Sequence, residues 1–157
     1  MAKKQNQFNL DEIFRHLRTN IEFSQMDDDL RVINVVSTNP NEGKSTVSTN
    51  LARIFADKYK RVLLIDGDLR NPSDHKMFKV SNAKGFSNLL ARYQPGTNVL
   101  SYEEIMPLEF SNQTILYFLP TGRRVPNPTE ILSSKKFSQL LEQARKEFDY
   151  IIIDCPP

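Results

Sequence analysis

The chain has 157 residues, 39% of them apolar and 25% charged, with a net charge of +2. These are the proportions of one ordinary soluble domain able to bury about 70% of its unfolded surface, which excludes a disordered chain. The small, scattered positive charge supplies no basic face for nucleic acid.

No apolar run approaches the roughly 18 residues of a membrane helix. The start, Met1-Ala2-Lys3-Lys4-Gln5-Asn6-Gln7, lacks the apolar stretch of a signal peptide. The single cysteine, Cys155, excludes an internal disulfide and fits a cytoplasmic protein.

Asn9-Leu10-Asp11-Glu12 reads as a capping box that opens a helix. Leu10, Ile13, Phe14, Leu17 and Ile21 form its apolar stripe, with Glu12, Arg15 and Arg18 on the other side. Asp27-Asp28-Asp29 reads as a loop, and Val32 to Val36 as a buried strand. A helix from Gly43 to Lys58 should turn Val47, Leu51, Ile54 and Phe55 inward. Arg61 to Ile65 is a second strand ending at Asp66, residues 71–85 are turn-rich, and Phe86 to Tyr93 is a short helix. Thr114 to Leu119 is a third strand, closed by Pro120. Pro126-Asn127-Pro128 precedes a helix start at Thr129-Glu130. Ser133 to Phe148 is a helix with Phe137, Leu140, Leu141 and Ala144 inward, and Tyr150 to Ile153 is the last strand. Continuous apolar strands alternating with helices predict a parallel sheet covered on both faces. The chain stops on Ile151-Ile152-Ile153-Asp154-Cys155-Pro156-Pro157, a strand that wants neighbours, so a longer protein is expected.

Three segments deliver polar groups at the C-terminal end of an apolar strand, where open α/β sheets bind ligands. The first ends in Gly43-Lys44-Ser45 and fits a phosphate-binding loop. Backbone N–H groups at a helix start take phosphate, a lysine takes the β/γ-phosphates, and a serine hydroxyl takes Mg²⁺. The pattern G-x-x-x-x-G-K-[ST] is incomplete, because Thr38 stands where its first glycine belongs. The second segment is Leu63-Leu64-Ile65-Asp66-Gly67-Asp68-Leu69-Arg70. Asp66 and Asp68 point the same way in an extended chain, and two carboxylates side by side need a cation. Mg²⁺ fits, or one Asp binds metal while the other accepts a proton; a plain surface turn is the bland alternative. In the third segment Asp154 ends an apolar strand in the manner of a Walker B aspartate holding a metal-bound water. Cys155 beside it reads as a small, partly buried filler.

The ordered set Pro40-Asn41-Glu42-Gly43-Lys44-Ser45, Leu63 to Pro72 and Ile151 to Pro157 resembles the bacterial tyrosine kinases. The loop using Pro40 in place of its first glycine suits that family. So do Gly122, Pro126 to Leu132 before the Phe137 helix, and an E-x-x-R-x-x-R motif at Glu12, Arg15 and Arg18.

The resemblance implies an α/β, P-loop NTPase-like fold, with a mostly parallel central sheet and helices on both faces, incomplete after the Walker B strand. It implies residues 1–30 as an N-terminal helix and linker and 31–157 as a kinase domain lacking its C-terminal part. Asn41, Glu42, Gly43, Lys44, Ser45 and Thr46 would bind ATP; Ser45, Asp66, Asp68 and Asp154 would hold Mg²⁺; Lys44, Asp66 and Asp68 would be catalytic. Asp66 would draw the proton from an incoming tyrosine on another copy, while Glu12, Arg15 and Arg18 would build a ring-like homo-oligomer. Implied partners are a membrane adaptor of the polysaccharide chain-length type, recruiting the protein to the inner face of the membrane, and a cognate tyrosine phosphatase. The implied role is control of capsular or exopolysaccharide synthesis and export.

The family's tyrosine-rich tail has no counterpart here, since Tyr59, Tyr93, Tyr102, Tyr117 and Tyr150 are well separated. Two other readings stay open. One is a partition or division ATPase switch, a class that places a second lysine where this chain has Asn39. The other is a non-catalytic nucleotide-binding scaffold for the membrane adaptor.

Overall fold

A computed structural model describes residues 2–25, 29–111 and 113–157. Five strands form one sheet: β1 (Val32–Val35), β2 (Val62–Asp66), β3 (Met106–Glu109), β4 (Ile115–Leu119) and β5 (Tyr150–Asp154), in the order β1-β5-β2-β4-β3. Pairing is parallel except for β3, which runs antiparallel to β4. The central strands β2 and β5 are apolar along nearly their whole length because both of their faces are covered.

The helices are α1 (Ala2–Ser24), α2 (Lys44–Lys58), α3 (Asp74–Phe78), α4 (Phe86–Arg92), α5 (Pro128–Leu132) and α6 (Lys135–Glu147). Strand residues alternate between two cores. Leu63, Ile65, Leu119, Ile151 and Ile153 meet α4 and α6 through Phe86, Leu89, Phe137 and Leu140. Val62, Leu64, Phe118 and Ile152 meet α2 and α1 through Leu51, Ile54, Phe55 and Phe14.

Several elements differ from the expectations above. No helix breaker precedes Asn9, so α1 begins at Ala2 and Asn9 is an exposed interior residue of the helix. Its inward stripe is Leu10, Phe14 and Ile21, while Ile13 and Leu17 are exposed. The helix is rotated because polar contacts anchor it. Arg18 Nη1 donates to the Ile54 carbonyl at 2.6 Å, Arg53 pairs with Asp11, and Lys58 Nζ and Tyr59 Oη bond Glu22. Burial of Phe14 adds about 2 kcal/mol.

β1 is an edge strand in the described residues and only half-buried; Val36 lies beyond it, 69% exposed. Val47 sits at the loop end of the α2 stripe and is likewise exposed. Of the acidic loop, Asp29 is irregular, and Asp27 and Asp28 lie outside the described residues. β3 was not expected: its four residues, Met-Pro-Leu-Glu, are too short and too weak in strand formers to stand out. Ser134 caps α6, its Oγ accepting from the Phe137 N–H, so that helix starts two residues later than its apolar spacing implied.

Candidate functional site

Register builds the site. Val35 and Asp66 both pair with Asp154, so β1, β5 and β2 end at one level and place two aspartates on the sheet's C-terminal edge. The loop leaving β1 enters α2 through Gly43, whose φ of 80° is left-handed and suits glycine. Asn41, at φ 62°, adopts the same region, which asparagine tolerates better than most residues. Glu42 accepts from Asn39 Nδ2 at 3.1 Å and Thr38 Oγ1 at 3.4 Å. Thr38 and Asn39 thus brace the loop at the place where the usual pattern has a glycine.

The cleft above α2 encloses about 590 Å³ and is lined by Asn41, Gly43, Lys44, Ser45, Thr46, Asp68 and Ser73, among others. The first backbone N–H groups of a helix lack intrahelical partners and point at whatever occupies such a cleft. Lys44 is buried, in contact with Asp154 and 3.7 Å from Asp68 Oδ2. Burial pulls its ammonium pKa down, but the Asp154 contact and the charges of Asp154, Asp68 and Asp66 outweigh that and raise it. Ser45 Oγ lies 2.9 Å from Asp154 Oδ2 and 2.5 Å from Ser73 Oγ.

The aspartates separate into two groups. Asp68 faces Lys44 and accepts from the Asn71 N–H at 3.2 Å. Asp66 is fully buried. It accepts from the N–H groups of Asp68, Ser73 and Asp74 at 3.1, 3.3 and 3.3 Å, organising the loop after β2. Sequence spacing paired Asp66 with Asp68; the fold instead converges Asp66, Asp74 and Asp154, with one oxygen of each within 4.8 Å of the others. Two unit charges at 4.8 Å repel by about 3.5 kcal/mol at an effective dielectric near 20.

Burial, then the charge of Asp154, pushes the Asp66 pKa up. Burial, then the charge of Asp66, pushes Asp74 up further. Ionised, Asp74 finds no donor for either oxygen; protonated, it can donate to Asp154.

Two features fit a magnesium nucleotide. A side chain added at Gly43 would meet nothing within 4 Å, leaving room for phosphate against the backbone. The buried oxygens of Asp74 lack partners that a cation would supply. Lys44, Ser45, Asp66 and Asp154 lie together at the C-terminal edge of the sheet, with Asp68 beside Lys44. Ser73 and Asp74 were missed, since they lie in a turn-rich stretch with no spacing signal. Glu12 and Arg15 lie on α1, partly exposed and 3.7 Å apart, whereas Arg18 turns inward onto α2.

Fold and site define a domain of the P-loop NTPase class. Residues 30–157 match the AAA domain family. The chain is 40% identical over 146 residues to the tyrosine-protein kinase YwqD of Bacillus subtilis, covering 93% of this chain and 58% of that protein. It is 32% identical to the solved kinase domain of VpsO with a TM-score of 0.77, covering 99% of this chain and 72% of that one. It is 25% identical to the septum site-determining protein MinD of Pyrococcus horikoshii, solved with Mg-ADP, with a TM-score of 0.60 over 80% of this chain and 49% of that one. The chain belongs to the bacterial tyrosine kinase family. No helix among the described residues is long and apolar enough to cross a membrane.

Proposed function

We propose that the chain is the phosphoryl-transfer domain of a protein-tyrosine kinase that moves the γ-phosphoryl group of ATP to a tyrosine on another copy of itself. The observation that carries this reading is the meeting of Lys44, Ser45, Asp66 and Asp154 at the start of α2, in a chain of this family. Phosphoryl transfer is mostly positioning and charge neutralisation, so such groups suffice without a covalent intermediate.

The backbone N–H groups from Gly43 to Thr46 hold the phosphates, with Asn41 and Glu42 shaping the loop. Lys44 leaves Asp154 and reaches the β/γ-oxygens. Ser45, Asp66, Asp68 and Asp154 hold or position Mg²⁺, which when bound neutralises charge on the transferring group. Asp66 draws the tyrosine proton as the general base of this reading. A second cleft of about 370 Å³, between Gly67–Asn71 and Pro128, Thr129 and Leu132, opens beside Asp68 and gives the acceptor tyrosine a path.

The same reading assigns the protein to capsular or exopolysaccharide synthesis. A membrane adaptor of the chain-length type would recruit it to the cytoplasmic face of the membrane, and a tyrosine phosphatase would reverse the modification. The test is incubation with Mg-ATP and a tyrosine-containing polymer, read by phosphotyrosine immunoblot. Signal that disappears on chelation with EDTA is the expected result. ATP hydrolysis with no phosphotyrosine would overturn the kinase reading in favour of an ATPase switch.

Residues 1–30 are proposed as the oligomer contact, through Glu12, Arg15 and Arg18. The exposed Glu12–Arg15 pair is worth a few tenths of a kcal/mol within the helix. Glu12→Ala with Arg15→Ala should therefore lower oligomer mass by light scattering while leaving thermal stability nearly unchanged. Arg18→Ala should also loosen α1, since it removes a hydrogen bond to α2. An unchanged mass in the double variant would return that pair to a solvent-facing role.

A further inference from the structure

We infer that Asp74 is a further carboxylate ligand of the divalent-cation centre, joining Asp66 and Asp154, which lets this site take up a cation before nucleotide arrives. The inference rests on reading the cleft as a magnesium-nucleotide site. A magnesium centre beside nucleotide phosphates ordinarily uses one or two carboxylates, with phosphate and water completing the shell. Here three carboxylates converge: Asp66 from the end of β2, Asp154 from the end of β5, and Asp74 from the first turn of α3.

Their hydrogen bonding differs. Asp66 is occupied by three backbone N–H groups, and Asp154 by Lys44 and Ser45. Asp74 is 0% exposed; ionised, it has no donor for either oxygen, and only a proton shared with Asp154 would otherwise give it a partner. A carboxylate shut away from water with no donor is unfavourable unless something satisfies it. One of its oxygens lies within 4.8 Å of oxygens on both other aspartates, close enough for all three to share one cation after small side-chain adjustments.

The placement of Asp74 is also fixed by the site it would serve, because its own N–H donates to Asp66 Oδ2 at 3.3 Å. Lys44 is the cation now shared with Asp154, and one positive charge against Asp66, Asp74 and Asp154 leaves room for a divalent ion. The all-oxygen donor set selects a hard cation, Mg²⁺ or Mn²⁺. Entry of that ion would displace Lys44 from Asp154 by like-charge repulsion and free it for the phosphates.

The test is titration of the nucleotide-free protein with Mn²⁺, followed by electron paramagnetic resonance and by thermal unfolding. Wild-type protein should bind one Mn²⁺ at this centre and gain thermal stability from it. Asp74→Asn should weaken that binding by tenfold or more. Metal-free, the variant should melt no lower than wild type, because an unpartnered acid has been replaced by an amide. Asp74→Ser gives the same comparison if the amide is not tolerated. Wild-type protein that binds no Mn²⁺ without nucleotide would overturn the inference, as would variants that bind it within twofold of wild type. Mg-ATP binding to the wild-type protein, measured in parallel, tests the nucleotide reading separately: its failure alongside intact Mn²⁺ binding would sink that reading and not the metal site.

Discussion

Lys44→Met should abolish phosphotyrosine formation and, in the absence of Mg²⁺, lower the melting temperature of the domain. The catalytic effect follows from removing the cation that meets charge on the transferring phosphoryl group, a loss of at least about 100-fold. The stability effect follows from where Lys44 sits in the fold. It is buried, touches Asp154 and stands 3.7 Å from Asp68. Removing one partner of a buried ion pair costs about 3–5 kcal/mol, because the remaining charge is left without compensation. Proton uptake by the aspartates relieves part of this, so a loss of about 3 kcal/mol is expected, roughly 6–12 °C for a domain of this size. Saturating Mg²⁺ should restore much of the melting temperature and none of the phosphotyrosine. Undiminished phosphotyrosine on immunoblot would eliminate the mechanism, and an unchanged metal-free melting temperature would show that the Lys44–Asp154 contact carries no net stability.

Gly122→Ala should destabilise the fold by about 3–5 kcal/mol through two separate effects. Gly122 has φ +79°, where an added side chain is strained, and its backbone abuts Gly85. A Cβ there would lie 2.6 Å from the Gly85 nitrogen and 2.9 Å from its Cα, with backbone on the far side and little freedom to yield. The close approach allows Phe86 N–H to reach the Pro120 carbonyl at 2.7 Å and Ser87 N–H to reach Thr121 at 3.0 Å, tying α4 to the end of β4. Asn82 Oδ1 accepts from the Gly122 N–H, and Asn88 Oδ1 accepts from both Gly85 and Arg123.

Gly96→Ala is the control. Its φ is +87°, but an added Cβ meets nothing within 4 Å, so only strain of about 1 kcal/mol is expected. Thermal unfolding of both variants separates strain from contact. Equal shifts would show that the approach of the two backbones contributes nothing beyond conformation.

Much of the architecture is legible in the residues. The apolar runs at Val62–Ile65 and Ile151–Ile153 imply central parallel strands, and those strands are central and buried. Less was legible where burial depends on distant partners. Ile13 and Leu17 share a helical stripe with Phe14, yet they are exposed, because Arg18, Glu22 and Asp11 set the rotation of α1 through contacts to α2 and Tyr59. Val32 to Val36 has the composition of an interior strand, but the described residues place β1 at the edge of the sheet. β3 follows from pairing with β4 rather than from its own propensity.

The site divides in the same way. The order of its parts, with Gly43-Lys44-Ser45 before a helix and Asp66 and Asp154 each closing an apolar strand, was determined by sequence alone. It was sufficient to name the family, because strand-then-ligand patterns are local and survive without knowledge of the packing. Which carboxylates converge was decided only by the tertiary structure. Parallel register set Asp66 level with Asp154, the turn after Gly67 carried Asp68 toward Lys44, and backbone N–H bonds to Asp66 folded the loop so that Asp74 came inside. A period-two rule holds only within a strand, and β2 ends at Asp66.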